Sequence, residues 1–172
     1  MKKAIVFFIG LSVIISCTSE DTVVELDEFF PATLDSGKLT EAYGAVRYAG
    51  TATHGGYFSI QSISSDEMAI TQKGGDWYDG GIWLDMHRHT WTPANGPITG
   101  TWAQQYSAIS TVNTVIGNAG LNSNEIAQAR VIRAYLHWRL MDLYGNIIIA
   151  DGSGSNAQSS RTAVFNWIES EL

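Results

Sequence analysis

Two amphipathic helices joined by a short connection constrain the fold of this chain more than any other sequence feature. From Ile98 to Ile116, apolar and large side chains recur at steps of three and four residues, the spacing of one face of an α-helix. Asn122 lies three residues before Glu125, a capping-box spacing that predicts the start of a second helix. Two long helices joined by about five residues must pack antiparallel. The predicted buried faces consist of Trp102, Tyr106, Ile109, Asn113 and Ile116 on the first helix, and of Ile126, Ala129, Ile132, Leu136, Leu140 and Leu143 on the second.

Further helices are predicted on both sides of this pair. Thr40 to Ala49 could form a short first helix, and residues 50–100 read as long structured loops with short helical pieces. Phe165, Ile168 and Leu172 predict an amphipathic helix from Thr162. Its apolar face needs a partner helix, so we expect the polypeptide to be truncated. The fold class is therefore all-α.

The N-terminus has the layout of a secretory signal. Lys2 and Lys3 precede the apolar run from Ala4 to Ile15, which is shorter than the roughly 20 residues that a membrane-spanning helix needs. The Ile14-Ile15-Ser16-Cys17 segment that follows resembles a lipobox. We expect residues 1–16 to be a lipoprotein signal peptide, Cys17 to be lipidated and residues 17–36 to form an acidic tether. Cys17 is the only cysteine, so an intrachain disulfide is impossible.

The charge balance limits the classes of partner. The net charge is −7, and removing residues 1–16 takes away two lysines and no acid, which makes it more negative. Nucleic acids and anionic head groups require a basic face. We therefore expect a neutral ligand.

Four blocks of the chain resemble one known family. Arg130-x-x-Arg133-Ala134-Tyr135, continuing to Tyr144-Gly145, is similar to the most characteristic helix of the SusD/RagB family of nutrient-binding outer-membrane lipoproteins. The other three blocks follow the family's order and spacing, although Asn146 to Ile149 departs from its usual Gly-Asp-Val-Pro and family members are about three times as long. These blocks are Ser65 to Met68, Trp102 to Asn113, and Arg161 to Leu172.

The resemblance implies a fold, a partner and an activity. Residues 37–172 would be the N-terminal part of a SusD-like, TPR-like helical domain, incomplete here. The protein would bind a starch-like oligosaccharide and act as a lid that delivers it to a SusC-like TonB-dependent transporter, without catalysis or a cofactor. Peptide capture, as in the RagB-like branch, and a surface glycoside hydrolase are the alternatives.

Candidate site residues lie in the loop-rich segment 50–100, and four of the six tryptophans fall between Trp77 and Trp102. A sugar site needs a flat aromatic surface flanked by polar side chains. The resemblance suggests Asp66, Lys73, Trp91 and Asn95 as substrate-binding residues. Trp91 could equally be a core residue, whereas a core role is favoured for Trp77, Trp83 and Trp102.

For other polar residues of the chain, the sequence predicts no specific site. His87 and His89 alternate along the chain and lack a third ligand at a diagnostic spacing, so no metal site is predicted. The resemblance implies that Asp66 and Glu67 open a helix, where negative charge favours the free N–H groups. Arg130 and Arg133 lie one turn apart and should pair with acids between helices.

Overall fold

The computed structural model describes residues 37–50, 56–71, 74–76 and 78–172. The predictions for residues 1–36, including Cys17, and those for Lys73 and Trp77 lie outside these ranges. Among the helices of the described ranges, none is both long enough and apolar enough to cross a membrane. The helices are α1 (Lys38–Gly50), α2 (Tyr57–Ser64), a 3-10 turn (Asp79–Gly81), α3 (Ile82–His87), α4 (Gly96–Ile116), α5 (Ser123–Tyr144) and α6 (Arg161–Glu171).

The all-α prediction is confirmed. Strand structure in the described part is limited to β1 (Ile147–Ile148) and β2 (Gln158–Ser159), which pair antiparallel with Ile147 opposite Ser159. The Asn122 side chain accepts a hydrogen bond from the Glu125 amide at 3.0 Å, and Glu125 Oε2 accepts one from the Asn122 amide at 2.8 Å. This reciprocal pair satisfies two otherwise free N–H groups, so α5 begins where the capping box predicts.

The main core lies between α1, α4 and α5, and α6 packs on α5. Apolar side chains of α4 and α5 interdigitate there because both helices present them at helical spacing. Trp102 is only partly buried and stacks edge-on against Tyr144, with their ring centroids 5.0 Å apart. The most deeply buried core side chains include Ala42, Ile109, Val112, Ala129, Leu136, Leu140, Ile147 and Val164.

Three polar side chains of α4 and α5 hold the segment that follows α5. The Tyr106 hydroxyl donates to the Ile148 carbonyl at 2.9 Å and accepts from the Ile148 amide at 2.8 Å. Asn113 Nδ2 donates to the Ala150 carbonyl at 2.8 Å, and His137 Nε2 accepts from the Ala150 amide at 3.0 Å. These bonds satisfy backbone groups that the two-residue strand leaves unpaired. Tyr106 and Asn113, both in the characteristic blocks, thus have structural roles.

Arg133 and Glu171 form a buried ion pair between α5 and α6. Glu171 Oε2 lies 2.6 Å from Arg133 Nη2 and 2.7 Å from Arg133 Nε, a two-point contact that fits the planar guanidinium. Arg130 Nε approaches the other carboxylate oxygen at 3.4 Å. Arg133 Nη1 also donates to Asn113 Oδ1 at 2.9 Å, which ties α4 into the same network. The predicted pairing of both arginines with acids between helices is confirmed.

The buried face of α6 differs from the predicted one. Val164 and Ile168 are buried, whereas Phe165 is 51% exposed and Leu172 is 73% exposed. Successive helical residues are about 100° apart, so Phe165 points away when Val164 faces α5. The predicted stripe of Phe165, Ile168 and Leu172 is therefore wrong except at Ile168. The true inner face also carries the polar Glu171, which a search for apolar periodicity passes over.

His137 should make the stability of the chain depend on pH. Burial lowers the pKa of His137 from 6.5 to about 4. Its Nδ1 lies 2.8 Å from the Arg133 carbonyl and must donate, so Nε2 is the acceptor that a second proton would remove. Between pH 6.5 and 4 the unfolded chain binds more protons than the folded chain, so stability falls as pH falls, by about 1.4 kcal/mol per unit and about 3 kcal/mol in all.

Urea unfolding at intervals between pH 7 and pH 4 measures this slope. His137→Gln should reduce this slope. A slope in His137→Gln equal to that of the parent chain would contradict the assignment to His137.

Candidate functional site

Trp91 lies in the loop between α3 and α4, and His89 holds this loop against the end of α2. His89 Nε2 lies 2.8 Å from the Ser64 carbonyl, which can only accept, so Nε2 carries the hydrogen. The His89 ring meets Trp91 edge-on, with centroids 5.2 Å apart. His89 has a φ of 55°, in the left-handed region that few non-glycine residues adopt. Such backbone strain is typical of sites where a side chain must be presented in one orientation.

Trp91 borders a small groove between α2, α3, α4 and α5. Its side chain is 40% exposed, so the ring is available to a ligand. The groove has a volume of about 160 Å³. This is below the roughly 300 Å³ at which pockets for drug-sized ligands begin, so it can hold only part of a larger molecule. The remaining lining residues are Ile60, Ser64, Met86, Ile98, Leu143 and Tyr144.

Tyr144 closes the groove on the α5 side. Its hydroxyl donates to the Ile98 carbonyl at 2.7 Å, which joins the end of α5 to the first turn of α4. Burial raises the pKa of the Tyr144 hydroxyl well above its usual value of 10. The hydroxyl therefore stays protonated and keeps this bond at neutral pH.

Asn95, which the sequence analysis predicts as a substrate-binding residue, has a structural role. Its side chain accepts from the Ile98 amide at 3.4 Å as the N-cap of α4, and Nδ2 donates to the Ile82 carbonyl at 3.4 Å. The residue is only 8% exposed. Because both ends of the amide are engaged and water hardly reaches it, Asn95 positions the Trp91 loop, and the predicted ligand contact stays a prediction.

Asp66 lies at the same end of α2 as Ser64. It is exposed, has a φ of 63°, and follows the end of α2, so the expectation that Asp66 and Glu67 open a helix is wrong. Asp66 Oδ1 lies 3.2 Å from His87 Nδ1. Both side chains are well exposed, so this contact stabilises the fold little. The structure thus brings Asp66 and Trp91 to neighbouring loops.

The tryptophans with predicted core roles, where the structure describes them, pack in the hydrophobic clusters. Trp83 is buried, and its Nε1 donates to Asp79 Oδ2 at 2.8 Å. Trp102 packs against the main core. Their predicted core roles are confirmed, and Trp91 differs from both by its exposure. Within the described ranges, no group of three metal-ligating side chains occurs around His87 or elsewhere.

Most of the groove's lining was not among the predicted site residues. Leu143 was expected only as a buried helix position, and His89 was weighed only as a metal ligand. No local pattern marks Ile60, Met86 or Leu143 as neighbours, because they lie on three different helices. The sequence did contain a signal for the role of Asn95. Asn95-Gly96-Pro97 places an Asn just before a proline at the start of a helix, which is typical of an N-cap.

The chain is similar to one known protein family and to a curated relative. The family SusD-like_3, described as "Starch-binding associating with outer membrane", matches residues 26–170. The chain is also similar to "SusD-like protein P2" of Formosa agariphila, with 29% identity over 187 aligned positions. That alignment covers all of this chain and 35% of the relative's length. No solved structure shows a significant match. Since the family match extends over most of the length of this chain, the chain belongs to the SusD-like family.

Proposed function

We propose that this chain is part of a cell-surface lipoprotein that captures a neutral oligosaccharide at the Trp91 groove. The observation that carries the proposal is the half-exposed Trp91 ring, held edge-on by His89 beside a groove that fits part of a ligand. A sugar ring presents apolar C–H groups to such a surface while its hydroxyls point outward. The family description of starch binding supports this ligand class.

Anchoring and delivery complete the proposal. Lipidated Cys17 would tether residues 37–172, the N-terminal part of a longer helical domain, at the outer surface through the 17–36 segment. Several acyl chains on one residue give a stable anchor, since each buried CH₂ contributes about 0.8 kcal/mol. A SusC-like TonB-dependent transporter would receive the sugar. Cys17→Ala should then move the protein from the membrane fraction to the soluble fraction, and retention in the membrane would refute the anchor.

The chemistry of the site supports binding without catalysis. Two acids lie on the elements around Trp91: Asp66 lies beside His87, and Asp85 accepts a hydrogen bond from the Thr90 hydroxyl at 3.2 Å. Neither lines the groove. A glycosidase needs two carboxyl groups on either side of the scissile bond. Release of reducing sugar from polysaccharide by the purified chain would favour the hydrolase alternative.

Isothermal titration of the full chain separates sugar binding from peptide binding. Neutral oligosaccharides of the malto-, xylo- and galacto- series should give saturable heat, because stacking on Trp91 removes apolar surface from water. Short uncharged peptides rich in apolar side chains serve as the comparison. Saturable heat with the peptides alone would favour the RagB-like alternative.

A further inference from the structure

The inner wall of the groove is the edge of a hydrophobic cluster. Ile60 and Met86 are buried members of a cluster that also contains Ile63 and Trp83. Ile98 and Leu143 pack against it from α4 and α5. Four aliphatic or thioether side chains from four helices therefore face whatever enters the groove beside Trp91. A wall of this kind favours apolar groups over hydroxyls.

The two hydroxyls in the lining are already engaged as donors. Ser64 Oγ donates to the Gln61 carbonyl at 3.2 Å, and the Tyr144 hydroxyl donates to the Ile98 carbonyl at 2.7 Å. A hydroxyl carries a single hydrogen, so neither group keeps one for a ligand. A sugar hydroxyl placed deep in the groove would give up its water, and although it could donate to either oxygen it could accept from neither of these hydroxyls. The apolar wall offers no further partners, so burying a hydroxyl there is less favourable than burying a methyl group.

The size of the groove limits what can enter it. Its volume of about 160 Å³ is close to that of the apolar cavity of about 150 Å³ that binds benzene in another protein. A hexose with its ring of hydroxyls is larger than benzene. The groove thus fits a substituent on a sugar, while the sugar ring itself must lie outside against the exposed Trp91.

We propose that the ligand is a saccharide that carries an apolar substituent, such as the methyl group of a 6-deoxy sugar, an O-methyl group or an O-acetyl group. The substituent occupies the groove, and the sugar ring stacks on Trp91. This inference rests on the proposed function, and it adds a selectivity that the starch-binding description of the family does not contain. Unsubstituted glucans would bind through Trp91 alone.

Matched saccharide pairs test this selectivity on the full chain. L-Rhamnose and L-mannose differ only by the methyl or hydroxymethyl group at C6, and acetylated xylo-oligosaccharides can be compared with the same sample after alkaline deacetylation. We expect the substituted member of each pair to bind about tenfold more tightly, the ratio that one well-placed apolar group contributes in a hydrophobic pocket. Isothermal titration at constant buffer composition gives both dissociation constants.

Two neighbouring serines provide a plug variant and its control. Ser64→Leu places a bulky group inside the groove and should abolish the preference for the substituted member, leaving weak binding of the unsubstituted one. Ser65→Leu makes the same change one residue later, where the side chain is exposed and does not line the groove. Ser65 also has the same kind of backbone bond, with Oγ 3.3 Å from the Ser62 carbonyl. The preference should survive in this variant.

The outcomes distinguish a failure of the substituent proposal from a failure of the proposed sugar capture. Equal affinity for both members of each pair, with binding still dependent on Trp91, would overturn the substituent proposal and leave sugar capture standing. A preference that survives in Ser64→Leu would place the substituent elsewhere and also overturn it. If no saccharide in any series binds, the proposed function itself fails.

Discussion

Replacing Glu171 with alanine should lower the free energy of unfolding by about 3–5 kcal/mol, the usual cost of leaving a buried charge without its partner. Glu171 faces both Arg130 and Arg133, and its side chain and that of Arg133 are each only 9% exposed. Without the carboxylate, the Arg133 guanidinium keeps its contacts to Asn113 Oδ1 and the Asp151 carbonyl but has no counter-ion in this network. Equilibrium urea unfolding followed by circular dichroism measures the loss.

Two further variants show whether the buried pair causes the loss. Glu169 lies on the same helix and is exposed, so Glu169→Ala should change stability by no more than about 0.5 kcal/mol. Replacing both partners, as in Arg133→Met with Glu171→Leu, should recover a large part of the loss, because no uncompensated charge remains. A loss below about 1 kcal/mol in Glu171→Ala would contradict the assigned role.

Local signals in the sequence predict most of the helical fold. The capping box at Asn122 and Glu125 sets the start of α5, and the glycines at 117 and 145 follow the last residues of α4 and α5. These signals involve residues within one turn of each other, so they do not depend on tertiary contacts. The α5 and α6 arginine pairing could also be anticipated, because buried arginines require acids.

Predictions that depend on tertiary packing are less accurate. Apolar spacing alone fits a stripe through Phe165 and Ile168, but α6 turns Val164 inward because its position also brings Glu171 to Arg133. Asn95 fits either a sugar contact or an N-cap by sequence, and the bond from the Ile98 amide shows the cap. The groove forms where α2, α3, α4 and α5 come into contact. No short segment of sequence predicts contacts among four separate helices.

Replacing Trp91 with alanine should weaken oligosaccharide binding about thirtyfold or more. Truncation of a tryptophan at the centre of a binding surface typically costs about 2 kcal/mol or more, which corresponds to that factor in the dissociation constant. The ring is 40% exposed, so its removal costs the folded chain far less than removal of the buried Trp83 would. Circular dichroism and urea unfolding of the variant should remain close to those of the parent chain.

Trp138 is the matched control for this substitution. It is 43% exposed, lies on α5 outside the groove lining, and packs against the Arg139 guanidinium with Cζ 4.3 Å from its ring centroid. Trp138→Ala removes the same amount of aromatic surface from an exposed position. It therefore reports any general effect of losing a surface tryptophan on sugar affinity.

The most direct test of sugar capture at the Trp91 groove is a titration of one oligosaccharide into the parent chain, Trp91→Ala and Trp138→Ala under identical conditions. The oligosaccharide should be the tightest binder among the saccharides tested. We predict an affinity reduced about thirtyfold or more in Trp91→Ala alone, with parent-like affinity in Trp138→Ala. Parent-like affinity in Trp91→Ala, or an equal loss in both variants, would contradict the assignment of the groove as the binding site.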